Sequence, residues 1–242
     1  MSVTKLKQWI DEAEQVVFFG GAGLSTESGV PDFRSATGIY SQVQGAENIL
    51  TPRFLKLNPE AFYDFYRTYF ILGDDIVPNA AHRGLAWLEA HHLLDTVITQ
   101  NIDNLHQRAG SHRVIELHGT AETFTCRTCG TTYTVAEVKE MAHVPRCRCG
   151  EVLRSDIVMF EEGLDERAIR RAIDAIETSD LLIIGGTSLS VYPAASFIHY
   201  QKPGGKKVLI NLEPTPIQVD LQINRPIGQV FQELLALYQE NE

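Results

Sequence analysis

Cys126, Cys129, Cys147 and Cys149 fall within one 24-residue window, as C-x2-C, a gap of 17 residues, and C-x-C. Two short-spaced thiol pairs on facing turns supply the four sulfur ligands that Zn2+ takes in a closed tetrahedron, so the expected site is structural. Disulfides or unrelated free thiols are the alternative. Gly130 and Gly150, each just after the second cysteine of a pair, suit the tight turns of such a site.

A second set of residues suits a phosphate-bearing ligand. Gly20-Gly-Ala-Gly-Leu-Ser-Thr26 follows an apolar run, where its backbone N–H groups can cradle phosphate; a tight structural turn is the simpler alternative. A dehydrogenase fingerprint starting at Gly21 would have Thr26 as its third glycine, and Glu47, near the required distance, lies in no strand. Another kind of dinucleotide or phosphate site is therefore expected. In Ser28-Gly-Val-Pro-Asp-Phe-Arg34, Pro31 stiffens the approach, Phe33 can cover a ring or shield a reactive carbon, and Arg34 can pair with phosphate or ribose oxygen. Thr99-Gln-Asn-Ile-Asp-Asn-Leu-His106 adds amide and acid groups suited to a carboxamide and sugar hydroxyls. His118, before Gly119, is a ready base near neutral pH, although a lone histidine is more often a core residue.

These groups need elements to hold them. Leu6, Trp9, Ile10 and Ala13 share one face of a helix over 2–14, and Val16-Val-Phe-Phe19 reads as a buried strand. Strands are expected at 96–99, 114–117, 155–160, 181–184 and 207–211, with helices at 82–94, 165–178 and 227–239. Between 36 and 80, Phe54, Phe62, Phe65, Tyr66, Tyr69 and Phe70 recur at helical spacing, as helix core before a ligand channel. Short apolar strands alternating with helices imply an α/β fold, a parallel sheet covered on both faces. In such sheets ligands sit beyond the carboxyl ends of the strands, which gathers 20–28, 100–106, 118–119, 185–190 and 211–215 along one edge.

Composition narrows the partners. Lys and Arg number 21 against 31 Asp and Glu, a net charge of −10 over 242 residues. With no basic face legible, nucleic acid is not an expected partner. No apolar run approaches the roughly 20 residues of a bilayer span, and no signal peptide is read at the N-terminus, so no membrane and a cytoplasmic location are expected.

Taken in order, the blocks at 21–34, 99–106 and 117–119, the four cysteines, Gly186-Thr-Ser-Leu-Ser-Val-Tyr-Pro-Ala-Ala195 and Ile210-Asn-Leu-Glu-Pro-Thr215 resemble the sirtuin family of the bacterial type, NAD-dependent protein-lysine deacylases. The likeness runs from about residue 5 to residue 237. It implies a Rossmann-like domain over 1–35, 79–120 and 154–242, with a small domain made of a helical module at 36–78 and a zinc ribbon at 121–153. NAD and an acylated lysine peptide or protein would meet in the cleft between them.

The resemblance also implies roles. Ala22, Thr26 and Arg34 would hold the phosphates and nearby ribose, with Gly21 and Phe33 also against the cofactor. Gln100, Ile102 and Asp103 would line the nicotinamide pocket, and Asn101 would orient the ribose or a water. Thr187, Ser188, Asn211, Leu212 and the backbone near Ile227 would contact the adenosine half. Val158, Met159 and Phe160 on one side, and Leu189 and Val191 on the other, look like the edges between which a peptide adds as a strand. His118 would take a proton from a ribose hydroxyl, which attacks the acyl-imidate; water completes the reaction, giving free lysine, nicotinamide and acyl-ADP-ribose.

Relatives that favour succinyl-lysine carry Tyr-x-x-Arg on the helical module. Here Arg67 directly follows Tyr66 and Tyr69 stands at the third place, so the arginine is about 100° out of phase and a neutral acyl group is favoured. Ser155 and Glu161 replace a usual Pro and Gly. The rivals are a mono-ADP-ribosyltransferase on the same NAD site and a non-catalytic NAD or ADP-ribose sensor.

Overall fold

The runs Val16–Gly20 and Leu181–Gly185 are buried along their whole length, as strands covered by helices on both faces must be. The computed structural model describes residues 2–36 and 38–240; positions 1, 37, 241 and 242 of the ranges above lie outside the described residues. Nine strands are described: β1 Val16–Gly20, β2 Thr96–Thr99, β3 Val114–Glu116, β4 Gly119–Thr125, β5 Thr132–Thr134, β6 Ser155–Ile157, β7 Leu181–Gly185, β8 Lys206–Asn211 and β9 Leu221–Asn224.

Six of them form a parallel sheet in the order β3-β2-β1-β7-β8-β9. From β1 the chain builds outward through β2 and β3, then returns to the other side of β1 with β7. The connections after β1 and β7 therefore leave in opposite directions and open a crevice at the carboxyl ends of the strands. Gly20 pairs with Gly185 at that point.

Helices Ser2–Glu12, Ala80–Ala90 and Ile227–Gln239 cover one face, packing Leu6, Leu85 and Phe231 against Phe18 and Ile183. Helix Glu166–Thr178 and the 3-10 segment Ala194–Tyr200 cover the other. The helix starts are written locally. Asn79 accepts from the Ala81 and His82 N–H groups, and Asp165 accepts from those of Arg167 and Ala168.

A second core lies outside this sheet. Helices Pro52–Leu57 and Pro59–Tyr69 bury Phe62, Phe65 and Tyr66 in a cluster with Phe70 and Phe124. Of the six spaced aromatics, only Tyr69 and Phe70 also reach the main cavity, so the set is mostly core. The three remaining strands form an antiparallel sheet, β5-β4-β6. The expected strand at 155–160 is thus cut to Ser155–Ile157 and joins this small sheet, because its register is set by pairing with β4. Two ties join the aromatic helices to the cysteine segment. The Tyr63 hydroxyl donates to the Leu153 carbonyl at 2.5 Å, and Arg67 donates to the carbonyls of Val138, Ala142 and His143 at 2.9–3.1 Å. The sequence reading did not include β4, β5, β9 or the helices Leu105–Arg108 and Val135–Lys139; β4, although seven residues long, is polar, and the others are only three to five residues long.

Candidate active site

The glycine loop folds directly onto the neighbouring strand end. Gly23 N–H donates to the Gly186 carbonyl at 2.8 Å, and a Cβ on Gly23 would come within 2.8 Å of that same oxygen. Only glycine lets the loops after β1 and β7 approach so closely. Around them opens a cavity of about 1350 Å³, larger than the usual pocket for one small ligand.

The strand ends bring together nearly every residue the sequence singles out. Gly21, Ala22, Thr26, Phe33 and Arg34 line the cavity from the loop after β1. Gln100, Asn101, Ile102 and Asp103 line it after β2, and His118 stands between β3 and β4. Thr187, Ser188 and Val191 enter after β7, and Asn211, Leu212 and Ile227 close the far end. Val158, Met159 and Phe160 form part of the lip. Leu189 is the exception: it is absent from the cavity wall and packs against the core beneath the sheet.

Hydrogen bonds tie three strand ends into one rim. Gln100 donates to Thr187 Oγ1 at 3.1 Å. Asn211 accepts from the Thr187 N–H at 3.2 Å and donates to the Thr187 carbonyl at 2.8 Å.

Beneath the rim a buried network is centred on Ser25. Its hydroxyl donates to Asp103 Oδ2 at 2.6 Å and accepts from Asn101 Nδ2 at 3.0 Å. The Asn79 N–H donates to His82 Nδ1, so the proton of neutral His82 sits on Nε2, 3.4 Å from Ser25 Oγ. Ser25 has one proton and gives it to Asp103, so it shows Asn101 only lone pairs. That fixes the amide: Nδ2 faces Ser25, and Oδ1 is buried without a partner among the described residues. An orphaned acceptor in a cavity wall fits a sugar hydroxyl or an ordered water. Burial raises the Asp103 carboxyl above its ordinary range, opposed by the Ser25 hydrogen bond. The sequence reading missed Ser25 and His82. The spacing of Asn79 and His82 as a helix cap was the available signal.

His118 Nδ1 lies 2.8 Å from the Gln100 carbonyl. A carbonyl only accepts, so Nδ1 carries the proton and Nε2 keeps its lone pair. Burial lowers the His118 pKa below the usual 6.5; the Gln100 hydrogen bond opposes this, and the Arg34 charge adds to it. The ring is therefore neutral at pH 7. Phe33 packs against Tyr40 and Phe70, and Arg34 lies over the Tyr40 ring at 5.4 Å.

The lip differs from a free sheet edge. The N–H groups of Val158, Met159 and Phe160 donate to the His118 carbonyl, Glu162 Oε2 and the Leu50 carbonyl.

The four cysteine sulfurs lie within 4.8 Å of one another, with Cys126–Cys149 at 3.5 Å and Cys129–Cys147 at 3.4 Å. A tetrahedron of Zn–S bonds of about 2.3 Å spaces its sulfurs about 3.8 Å apart, so the donor set fits zinc with all positions filled by protein.

A glycine-floored crevice at the switch point of a parallel sheet is how dinucleotide-binding α/β proteins hold their ligand, and the fold belongs to that class. The Sir2 family profile matches residues 21–193, and this chain belongs to the Sir2 family. An NAD-dependent protein deacetylase of Cutibacterium acnes is 46% identical over 237 residues, covering 96% of each chain. One from Thermotoga maritima is 43% identical over 220 residues, covering 88% of this chain and 89% of its own. A solved Sir2 complex with a p53 peptide and NAD+ is 38% identical, with a TM-score of 0.86 over 99% of this chain and all of its own. A point-substituted Sir2 with deacetylated p53 peptide and 3'-O-acetyl ADP-ribose reaches a TM-score of 0.89 at 39% identity, over 98% of each chain.

Proposed function

We propose that this protein is an NAD-dependent protein-lysine deacetylase that uses His118 as its base. The observation that carries the reading is the pairing of a neutral imidazole with the orphaned Asn101 carbonyl in one cavity of about 1350 Å³. NAD, as co-substrate, would supply the ribose carbon that releases nicotinamide and takes up the acyl oxygen; one water is then consumed, and free lysine and acyl-ADP-ribose result.

The protein's own groups divide the work. Asp103, held by Ser25, accepts the carboxamide N–H of nicotinamide beside Gln100 and Ile102. Asn101 Oδ1 holds the ribose or a water. Ala22, Thr26 and Arg34 bind the phosphates and nearby ribose, Arg34 offsetting their charge, while Gly21 and Phe33 lie against the cofactor, Phe33 covering a ring or the reactive carbon. Thr187, Ser188, Asn211, Leu212 and the Ile227 backbone hold the adenosine half. His118 Nε2 takes a proton from a ribose hydroxyl. Val158, Met159, Phe160 and Val191 flank the peptide; Leu189 supports from below. The cysteines hold one structural Zn2+.

In this reading 1–35, 79–120 and 154–242 form the NAD-binding domain, with β6 at its junction to the small domain of 36–78 and 121–153. A cytoplasmic location is part of it, supported by four cysteines that form no disulfide. Among the described residues no helix is long and apolar enough to cross a membrane.

Mass spectrometry of an acetyl-peptide reaction tests the proposal. Acetyl-ADP-ribose should form only with NAD. Label transferred from NAD to protein, with little acetyl-ADP-ribose, would instead identify an ADP-ribosyltransferase.

A further inference from the structure

The lip of the cavity carries a carboxylate that neither the fold nor the proposed chemistry uses. Glu161 lines the cavity and is exposed. Its φ of +71° lies in the left-handed region, which a non-glycine residue adopts at a cost. Among the described residues it makes no hydrogen bond and no ion pair.

The residues around it hold it in that position. Phe160 N–H donates to the Leu50 carbonyl at 3.0 Å, and Met159 N–H donates to Glu162 Oε2 at 3.0 Å. Arg154 grips both oxygens of Glu162, one at 2.7 Å, and also reaches the Ile157 carbonyl at 3.2 Å. Arg127 is paired with Asp156 at 3.4 Å. Arg34, the one guanidinium lining the cavity among the described residues, lies over Tyr40. Arg154, Arg127 and Arg34 therefore have other partners, and Glu161 stands at the cavity lip with no ion-pair partner among the described residues.

We infer that Glu161 is a specificity-determining residue that selects acyl-lysine peptides carrying Lys or Arg within two residues of the acylated lysine. An extended peptide advances about 3.3 Å per residue, so a side chain one or two places away comes within reach of the lip. The charge is exposed, so the preference is modest and falls as salt rises. The inference rests on the reading that this cleft takes an acyl-lysine peptide.

Two acetyl-lysine peptides, identical except for Arg or Glu beside the acetyl-lysine, test it. Their dissociation constants are measured by fluorescence anisotropy at low and high salt, and kcat and KM are measured in parallel. The wild type should bind the Arg peptide about two- to fivefold more tightly at low salt, with the difference residing in KM. Glu161→Gln and Glu161→Gly should both erase that ratio, although only the glycine relieves the backbone strain. Glu161→Arg should invert it. A ratio unchanged in the Gln and Gly variants overturns the inference. So does a wild-type ratio of one. If the peptides bind but none is deacetylated, the deacetylase reading fails, and the binding ratios still decide the role of Glu161.

Discussion

The His118 ring donates from Nδ1 to the Gln100 carbonyl, 2.8 Å away on the end of the neighbouring strand. One backbone oxygen thereby sets the tautomer of the base and leaves Nε2 free to accept a proton.

Replacing that base should stop the chemistry and spare the fold. His118→Ala is expected to lower kcat/KM for an acetyl-peptide by about 100- to 10,000-fold. Thermal unfolding and zinc content should match the wild type. An equally active variant would remove His118 from the mechanism.

The pH profile should carry the signature of a depressed imidazole. The base works only unprotonated, and burial lowers its pKa from 6.5. Activity should therefore persist below pH 6.5 and fall only as pH drops through the lowered value. An acid limb of kcat/KM centred above 6.5 would contradict the arrangement.

Removing a thiolate should act on folding. Cys126 is buried among the sulfurs, and structural zinc contributes about 10–16 kcal/mol in small zinc peptides. Cys126→Ser, or a strong chelator, should lose the metal and unfold the antiparallel sheet, as read by circular dichroism and metal analysis.

Acyl preference follows from Arg67. Its guanidinium is held by three carbonyls of the 138–143 segment, so it is unavailable to an acyl carboxylate. Acetyl-peptide should be turned over at least tenfold better than succinyl-peptide, measured as kcat/KM. Comparable values for the two would overturn this.

Acid stability should reflect His106, whose ring nitrogens are both buried without partners among the described residues. Burial lowers its pKa from 6.5 to about 4. Between those values the unfolded chain binds the extra proton, so stability falls as pH drops from 6.5 toward 4, by about 3 kcal/mol in full. Urea midpoints at pH 7 and pH 4.5 should show the loss, and His106→Leu should reduce it, the remainder coming from buried His82, whose pKa burial lowers to about 2.

The sequence by itself determined the chemistry wherever a contiguous segment carries it. The loop at 20–26, the amide-rich stretch at 99–106 and His118 all sit at strand ends, and a parallel sheet brings its strand ends to one edge whatever else the chain does. The cysteine spacing likewise contained its own ligand geometry, because each pair is local. Only the tertiary structure decided what depends on residues far apart. Ser25 meets Asp103 across 78 positions, which fixes the Asn101 amide, and no spacing rule reaches that far. Ser155–Ile157 is too short to show a period, so its partner β4 assigns it to the small sheet. Leu189 lies in a segment with the right residues, yet the backbone turns its side chain to the core. Local sequence sets which groups are present; long-range packing sets which way they face.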